Sequence, residues 1–189
     1  MNLIHRWYCK SDGWGEALQK YILPGAIGET DLGDHLLEIG PGPGKSTEWL
    51  KERVPAITAV EIDRKLAASL VERMAGTNVT VVQGDATKME FGDNSFSSAV
   101  CFTMLHHVPS RELQDELLAE ACRVLRPGGV FVGSDSTPSF RFKLFHVLDT
   151  CVPVHPPEFE ERLKAAGFAE AEVQWFEQWN TFQFKARKV

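Results

Sequence analysis

Leu36-Leu37-Glu38-Ile39-Gly40-Pro41-Gly42-Pro43-Gly44 joins a short apolar run to three glycines at alternate positions. Lys45 to Leu50 follows with helical character. The pattern predicts a buried strand, a tight turn almost bare of side chains, and a helix. Glycine permits φ > 0 and lets a ligand approach the backbone closely. The helix beyond offers N–H groups that have no partner within it. Glu38 lies inside the apolar run, where a carboxylate is costly to bury unless something polar meets it.

Spacing separates the strand–loop–helix motifs that bind nucleotides. A phosphate-binding P-loop needs Gly-x-x-x-x-Gly-Lys-Ser/Thr. Gly44-Lys45-Ser46 supplies its end, but the opening glycine would fall on Ile39. A dinucleotide fingerprint needs Gly-x-Gly-x-x-Gly. Counted from Gly40 and Gly42, its third glycine falls on Lys45. What stands here is Glu-x-Gly-x-Gly-x-Gly.

Working outward, strands and helices alternate. Ile57 to Ile62 is β-branched and apolar, a second buried strand. Asp63 caps a helix with Leu66, Leu70, Val71 and Met74 on one face, and Gly76 ends it. Residues 78–83 form a third strand, closed by Gly84-Asp85-Ala86. Residues 96–103 form a fourth, followed by Met104-Leu105-His106-His107-Val108-Pro109. Residues 110–125 carry a strong helical period that Arg126-Pro127-Gly128-Gly129 stops, and residues 130–132 are a fifth strand. This alternation predicts an α/β fold with a parallel sheet covered on both faces. The order reverses beside the first strand, and ligands of such sheets bind at that reversal, at the strand C-termini.

The ends of the chain differ. Residues 1–30 carry Trp7, Tyr8, Trp14, Leu18, Tyr21 and Leu23, with a helix expected from Trp14 to Leu23 before Pro24-Gly25. They read equally as a helix packed outside the sheet and as a lid over the ligand mouth. Residues 136–155 form an aromatic and basic insert with Phe140, Arg141, Phe142, Lys143, Phe145 and His146. Its phenylalanines either line a pocket or pack the insert onto the core. Pro156-Pro157 opens a helix that Gly167 ends. Residues 168–176 and 179–186 read as an antiparallel hairpin at the sheet edge.

The chain of 189 residues fits one domain with a full core. With 20 basic and 26 acidic residues its net charge is −6, which disfavours binding to a nucleic-acid backbone. No apolar run spans a bilayer, and the first residues lack the apolar core of a signal peptide, so a cytoplasmic location without stable membrane insertion is expected. The four cysteines, Cys9, Cys101, Cys122 and Cys151, are scattered without metal-site spacing and read as buried reduced thiols.

With all these motifs in order, residues 34–135 resemble the class I S-adenosylmethionine (SAM)-dependent methyltransferases, in the small-molecule, type 11-like branch. The resemblance implies a Rossmann-like, doubly wound, seven-stranded sheet in a single domain, mostly parallel with an antiparallel C-terminal strand. It implies SAM as cofactor and S-adenosylhomocysteine as product. Glu38 and Gly40 stand where the family contacts the methionine part of SAM, and Gly42 and Gly44 where the backbone passes beside the ligand. Glu61, with Ile62, matches the acid that accepts hydrogen bonds from both ribose hydroxyls. Asp85 matches the acid that receives the adenine amino group, and Ala86 the backbone N–H beside the ring. Thr103 and its neighbours match the segment beside the methionine end and the methyl acceptor. One departure is Phe96-Ser97, where the family often has Phe-Asp.

The implied activity is methyl transfer to a small apolar or aromatic acceptor, by a monomer or homodimer. A non-catalytic SAM or S-adenosylhomocysteine binding protein is the alternative, and a nucleotide-dependent oxidoreductase is opposed by the glycine spacing. His106 and His107 read either as a general base or as a turn that shapes the pocket and caps the next helix. No metal site is expected from the scattered histidines and cysteines.

Overall fold

A computed structural model describes residues 3–189; for residues 3–6, Arg141 and Phe145 it describes the backbone alone. Strands β1 (His35–Ile39), β2 (Ala56–Glu61), β3 (Val79–Gln83), β4 (Phe96–Phe102), β5 (Leu125–Ser136), β6 (Glu170–Phe176) and β7 (Thr181–Arg187) form one sheet in the order β3-β2-β1-β4-β5-β7-β6. Neighbours from β3 to β5 pair in parallel, and β7 runs antiparallel to both β5 and β6. This is the α/β, mostly parallel sheet expected, with its antiparallel C-terminal strand. The chain moves outward from β1 to β3 and returns to β4 on the other side of β1. The order therefore reverses between β1 and β4, which opens a crevice at their C-terminal ends.

Local sequence explains the crossovers. Helix α4 (Lys45–Leu50) starts directly after Gly44, which is left-handed at φ 81°. Helix α5 (Arg64–Met74) is capped by Asp63, whose carboxylate accepts from the Lys65 and Leu66 N–H groups. Helix α6 (Arg111–Val124) is capped by Ser110 in the same way. One core cluster holds Leu37, Leu117, Phe131, Phe159 and Phe182 among others, all buried. A second, on the other face, joins Leu36, Leu50, Val100 and Val132 to Leu18, Leu23 and Ile27 of the N-terminal segment.

That segment differs from expectation. Helices α1 (Leu3–Lys10) and α2 (Asp12–Ala17), a π-helical turn at Leu18–Ile22, and α3 (Leu23–Ile27) follow one another. Pro24 therefore does not end the helix. It sits in the first turn of α3, where its missing N–H and fixed φ are tolerated. Leu18, Leu23 and Ile27 each contribute roughly 1.5–3 kcal/mol by burial, enough to hold the segment against the sheet. After β5 come α7 (Phe140–Phe145), within the insert, and α8 (Pro156–Ala165). In the insert Phe142 is buried and Phe140 exposed, whereas the side chains of Arg141 and Phe145 lie outside the described residues.

Candidate functional site

A cavity of about 370 Å³ opens at the C-terminal ends of β1, β2, β3 and β4. Gly40, Gly42, Glu61, Ile62, Asp85, Ala86 and Thr103 all line it, so the sequence-predicted residues from four separate segments converge there. Cys9, Trp14 and Leu18 of the N-terminal segment and Asp149 and Thr150 of the insert complete the wall.

Backbone conformation shapes the floor. Gly40 and Gly42 adopt φ of +67° and +55°, which glycine accepts without strain. A Cβ on Gly40 would stand 2.3 Å from Cγ of Met104, whereas one on Gly42 would meet nothing within 4 Å. The floor is bare peptide, open to a close approach at Gly42, while at Gly40 Met104 takes the space a side chain would need. Thr103 is held at φ 50°, rare for a β-branched residue, with its N–H donating to the Ser134 carbonyl at 2.8 Å. Such strain concentrates where a structure holds a functional geometry.

Glu61 is the buried acid of the wall. Its Oε2 accepts the Gly42 N–H at 2.8 Å, and its Oε1 accepts the Asp63 N–H at 2.9 Å. Burial pushes its carboxyl above the ordinary range, and the N–H groups of Asp63, Gly42 and Ile62 oppose the shift. A carboxylate has about four lone-pair sites, so acceptor capacity remains for a ligand. Asp85 is exposed at the cavity rim and accepts from the Thr87 N–H and Oγ1, both at 2.9 Å.

Two predicted residues are placed elsewhere. Glu38 lies beneath the loop rather than on the cavity wall. Its carboxylate accepts from the Ser46 hydroxyl and, at 2.6 Å, from Thr47 Oγ1. Those hydroxyls are the polar partners its burial requires, and they fasten the first turn of α4 to the end of β1. Burial pushes the Glu38 carboxyl up to about 7, although both hydroxyls pull it down. Gly44 faces away from the cavity. Its missing Cβ leaves room for Leu70 Cδ1, 2.4 Å from where that atom would be, so packing rather than ligand approach demands glycine there.

The histidines also separate. His107 lines the cavity, with its Nδ1 3.2 Å from the Thr150 carbonyl oxygen. His106 is buried behind it, its Nδ1 2.5 Å from Asp135 Oδ1 and its backbone N–H donating to Asp135 Oδ2. Asp135 was not singled out from the sequence as a member of a site, and His146 stood there only as a weaker candidate for a base than His106 and His107. The one signal for Asp135 was an acid at the end of a buried strand, the pattern already met in Glu38 and Glu61. Burial lowers His146 below the usual imidazole range.

Residues 37–133 match the family model described as "Methyltransferase domain", which is half of the chain. The chain belongs to the class I SAM-dependent methyltransferase family. SAM is the family's cofactor. A ribosomal RNA small subunit methyltransferase A from Moorella thermoacetica is 48% identical over 64 residues, 33% of this chain and 22% of that protein. The chain thus matches about a fifth of the length of such curated relatives. Among solved structures, a SAM-dependent methyltransferase from Thermotoga maritima aligns over 100% of both chains with a TM-score of 0.74 and 18% identity. A Haemonchus contortus phosphoethanolamine N-methyltransferase 2, solved with phosphomonomethylethanolamine and S-adenosylhomocysteine, aligns over 98% of this chain and 56% of that one, with a TM-score of 0.74 and 20% identity. These similarities are similarities of fold.

The cavity fits that cofactor on its own terms. It pairs a bare peptide floor at Gly40 and Gly42 with one carboxylate at the end of β2 and another just beyond β3, and its volume lies in the range of small-ligand sites.

Proposed function

We propose that this chain is a cytoplasmic methyltransferase that moves a methyl group from SAM to a small apolar or aromatic acceptor. The observation that carries this reading is the convergence of Glu61 and Asp85, from the ends of adjacent strands, on one cavity walled by Gly40 and Gly42.

In this reading Glu61 accepts from the ribose hydroxyls with the lone pairs that Gly42 and Asp63 leave over, and Asp85 accepts from the adenine amino group. The Ala86 N–H and the Ile62 side chain bracket the ring, while Gly40 and Thr103 border the methionine end. Glu38 holds the loop in shape from below rather than touching the ligand. When bound, SAM supplies a methyl on a sulfonium that is already activated for in-line attack. The protein's task is then positioning and exclusion of water.

Trp14, Leu18 and Val108 give the remaining wall its apolar character, which favours an apolar acceptor. The net charge of −6 supports a small molecule over a ribosomal RNA. Of the two histidines singled out from the sequence, His107 is the one on the cavity wall. His107 therefore borders the acceptor's side of the cavity, and His106 does not.

The test is incubation with SAM and a panel of phenolic, amine and thiol acceptors, with S-adenosylhomocysteine followed by mass spectrometry. Acceptor-dependent formation of that product is expected. Binding of SAM with no turnover on any acceptor would favour the non-catalytic alternative.

A further inference from the structure

Three histidines from two distant parts of the chain meet behind the cavity wall. One ring nitrogen of each of His106, His107 and His146 lies within 4.8 Å of the other two. His106 and His146 are buried, and their rings stand nearly perpendicular, at 86°. Their Nε2 atoms are 3.2 Å apart.

The protons of these rings are assigned by their other contacts. Asp135 faces Nδ1 of His106 at 2.5 Å, the Phe142 carbonyl faces Nδ1 of His146 at 2.7 Å, and the Thr150 carbonyl faces Nδ1 of His107 at 3.2 Å. Carboxylates and carbonyls only accept, so each Nδ1 carries its proton. Each neutral ring then has its lone pair on Nε2. Two such lone pairs pointing at one another across 3.2 Å repel unless a proton or a metal ion lies between them.

We infer that His106, His107 and His146 form a binding site for a first-row divalent transition ion of the zinc class. Imidazole suits such ions, and three histidines with a further open position are a common donor set. Zinc–nitrogen bonds of about 2.0–2.1 Å at tetrahedral angles set the nitrogens about 3.3 Å apart. The His106–His146 pair already has that separation. The half-buried His107 brings a ring nitrogen within 4.8 Å of both, and a small movement of its ring closes the set. The outer contacts complete the pattern, because metal-binding histidines nearly always give their other N–H to a carboxylate or backbone carbonyl. Here all three do. The ion would tie the insert, through His146, to the turn after β4, and it would sit one side chain behind the cavity wall at His107.

The experiment uses the full chain stripped with a chelator. Zinc is titrated calorimetrically, and cobalt is added as a probe whose visible absorption reports tetrahedral nitrogen ligation. One ion per chain is expected, with a raised thermal midpoint. His106→Ala, His107→Ala and His146→Ala should each weaken zinc at least about tenfold, since loss of even an outer partner costs about 10–100-fold. Asp135→Asn should fall within that range, and His155→Ala, an exposed histidine outside the cluster, should bind as the parent does. His107→Gln removes the half-buried ligand without emptying the core and keeps the test valid if a buried variant misfolds. Absence of saturable zinc binding, or binding that survives all three histidine substitutions, would overturn the site and leave a shared proton between His106 and His146.

Discussion

The Gly42 N–H donates to Oε2 of Glu61 at 2.8 Å, tying the loop after β1 to the last residue of β2. The floor of the cavity and its buried acid therefore form one unit. Glu61→Ala should remove a ligand acceptor and also free two N–H groups, those of Gly42 and Asp63. SAM affinity should fall by about 1–3 kcal/mol, with a fall in thermal midpoint measured in the absence of ligand. Calorimetry and thermal unfolding on the same preparation check both.

Gly40 and Gly42 should respond differently to alanine. Both have positive φ, so both substitutions carry a backbone cost of about 1–2 kcal/mol. Gly40→Ala also drives a Cβ against Met104, so it should lower the thermal midpoint further. Gly42→Ala meets open space and should mainly weaken SAM. Equal stability losses with unaltered binding would show that the loop is not a ligand floor.

Glu38 gives the stability a pH dependence. Its folded carboxyl titrates near 7 against an ordinary value of 4.5. Between those values the folded state holds a proton that the unfolded chain has lost. Its contribution is therefore fully present below about 4.5 and is lost as pH rises through about 7. Glu38→Gln should flatten the fall in stability over that window, because the amide can still hydrogen-bond Ser46 and Thr47. Glu38→Ala should cost about 1–3 kcal/mol at the low end, since it leaves two buried hydroxyls without that partner. Denaturant unfolding at several pH values measures both.

The N-terminal segment both packs on the sheet and lines the cavity, through Leu18 and Trp14 respectively. If it acts as a lid, Trp14→Ala should speed SAM release with a smaller effect on association. Stopped-flow kinetics would show this, and unchanged release would reduce the segment to packing.

Much of this fold was legible in the sequence because its signals are local. The apolar run before Gly40, the cap at Asp63 and the Gly128-Gly129 turn each follow from a few adjacent residues. Glu61 and Asp85 were legible as well, since each ends an apolar strand and the sheet order places such ends together. The rest depends on contacts between distant residues. Gly44 answers to Leu70, and Glu38 to hydroxyls that belong to the next helix. His146 stands 40 residues from His106, and only the placement of the insert joins them. Pro24 looked like a helix stop because a proline removes an N–H, but at the start of a turn no partner is lost.

The most direct measurement is calorimetric titration of the full chain with SAM and, separately, with NADH, repeated with Asp85→Ala. Saturable binding of SAM at one site, none of NADH, and a loss of about 1–3 kcal/mol in the variant are expected. Binding of NADH in place of SAM, or SAM affinity indifferent to the loss of Asp85, would contradict the assignment of this cavity.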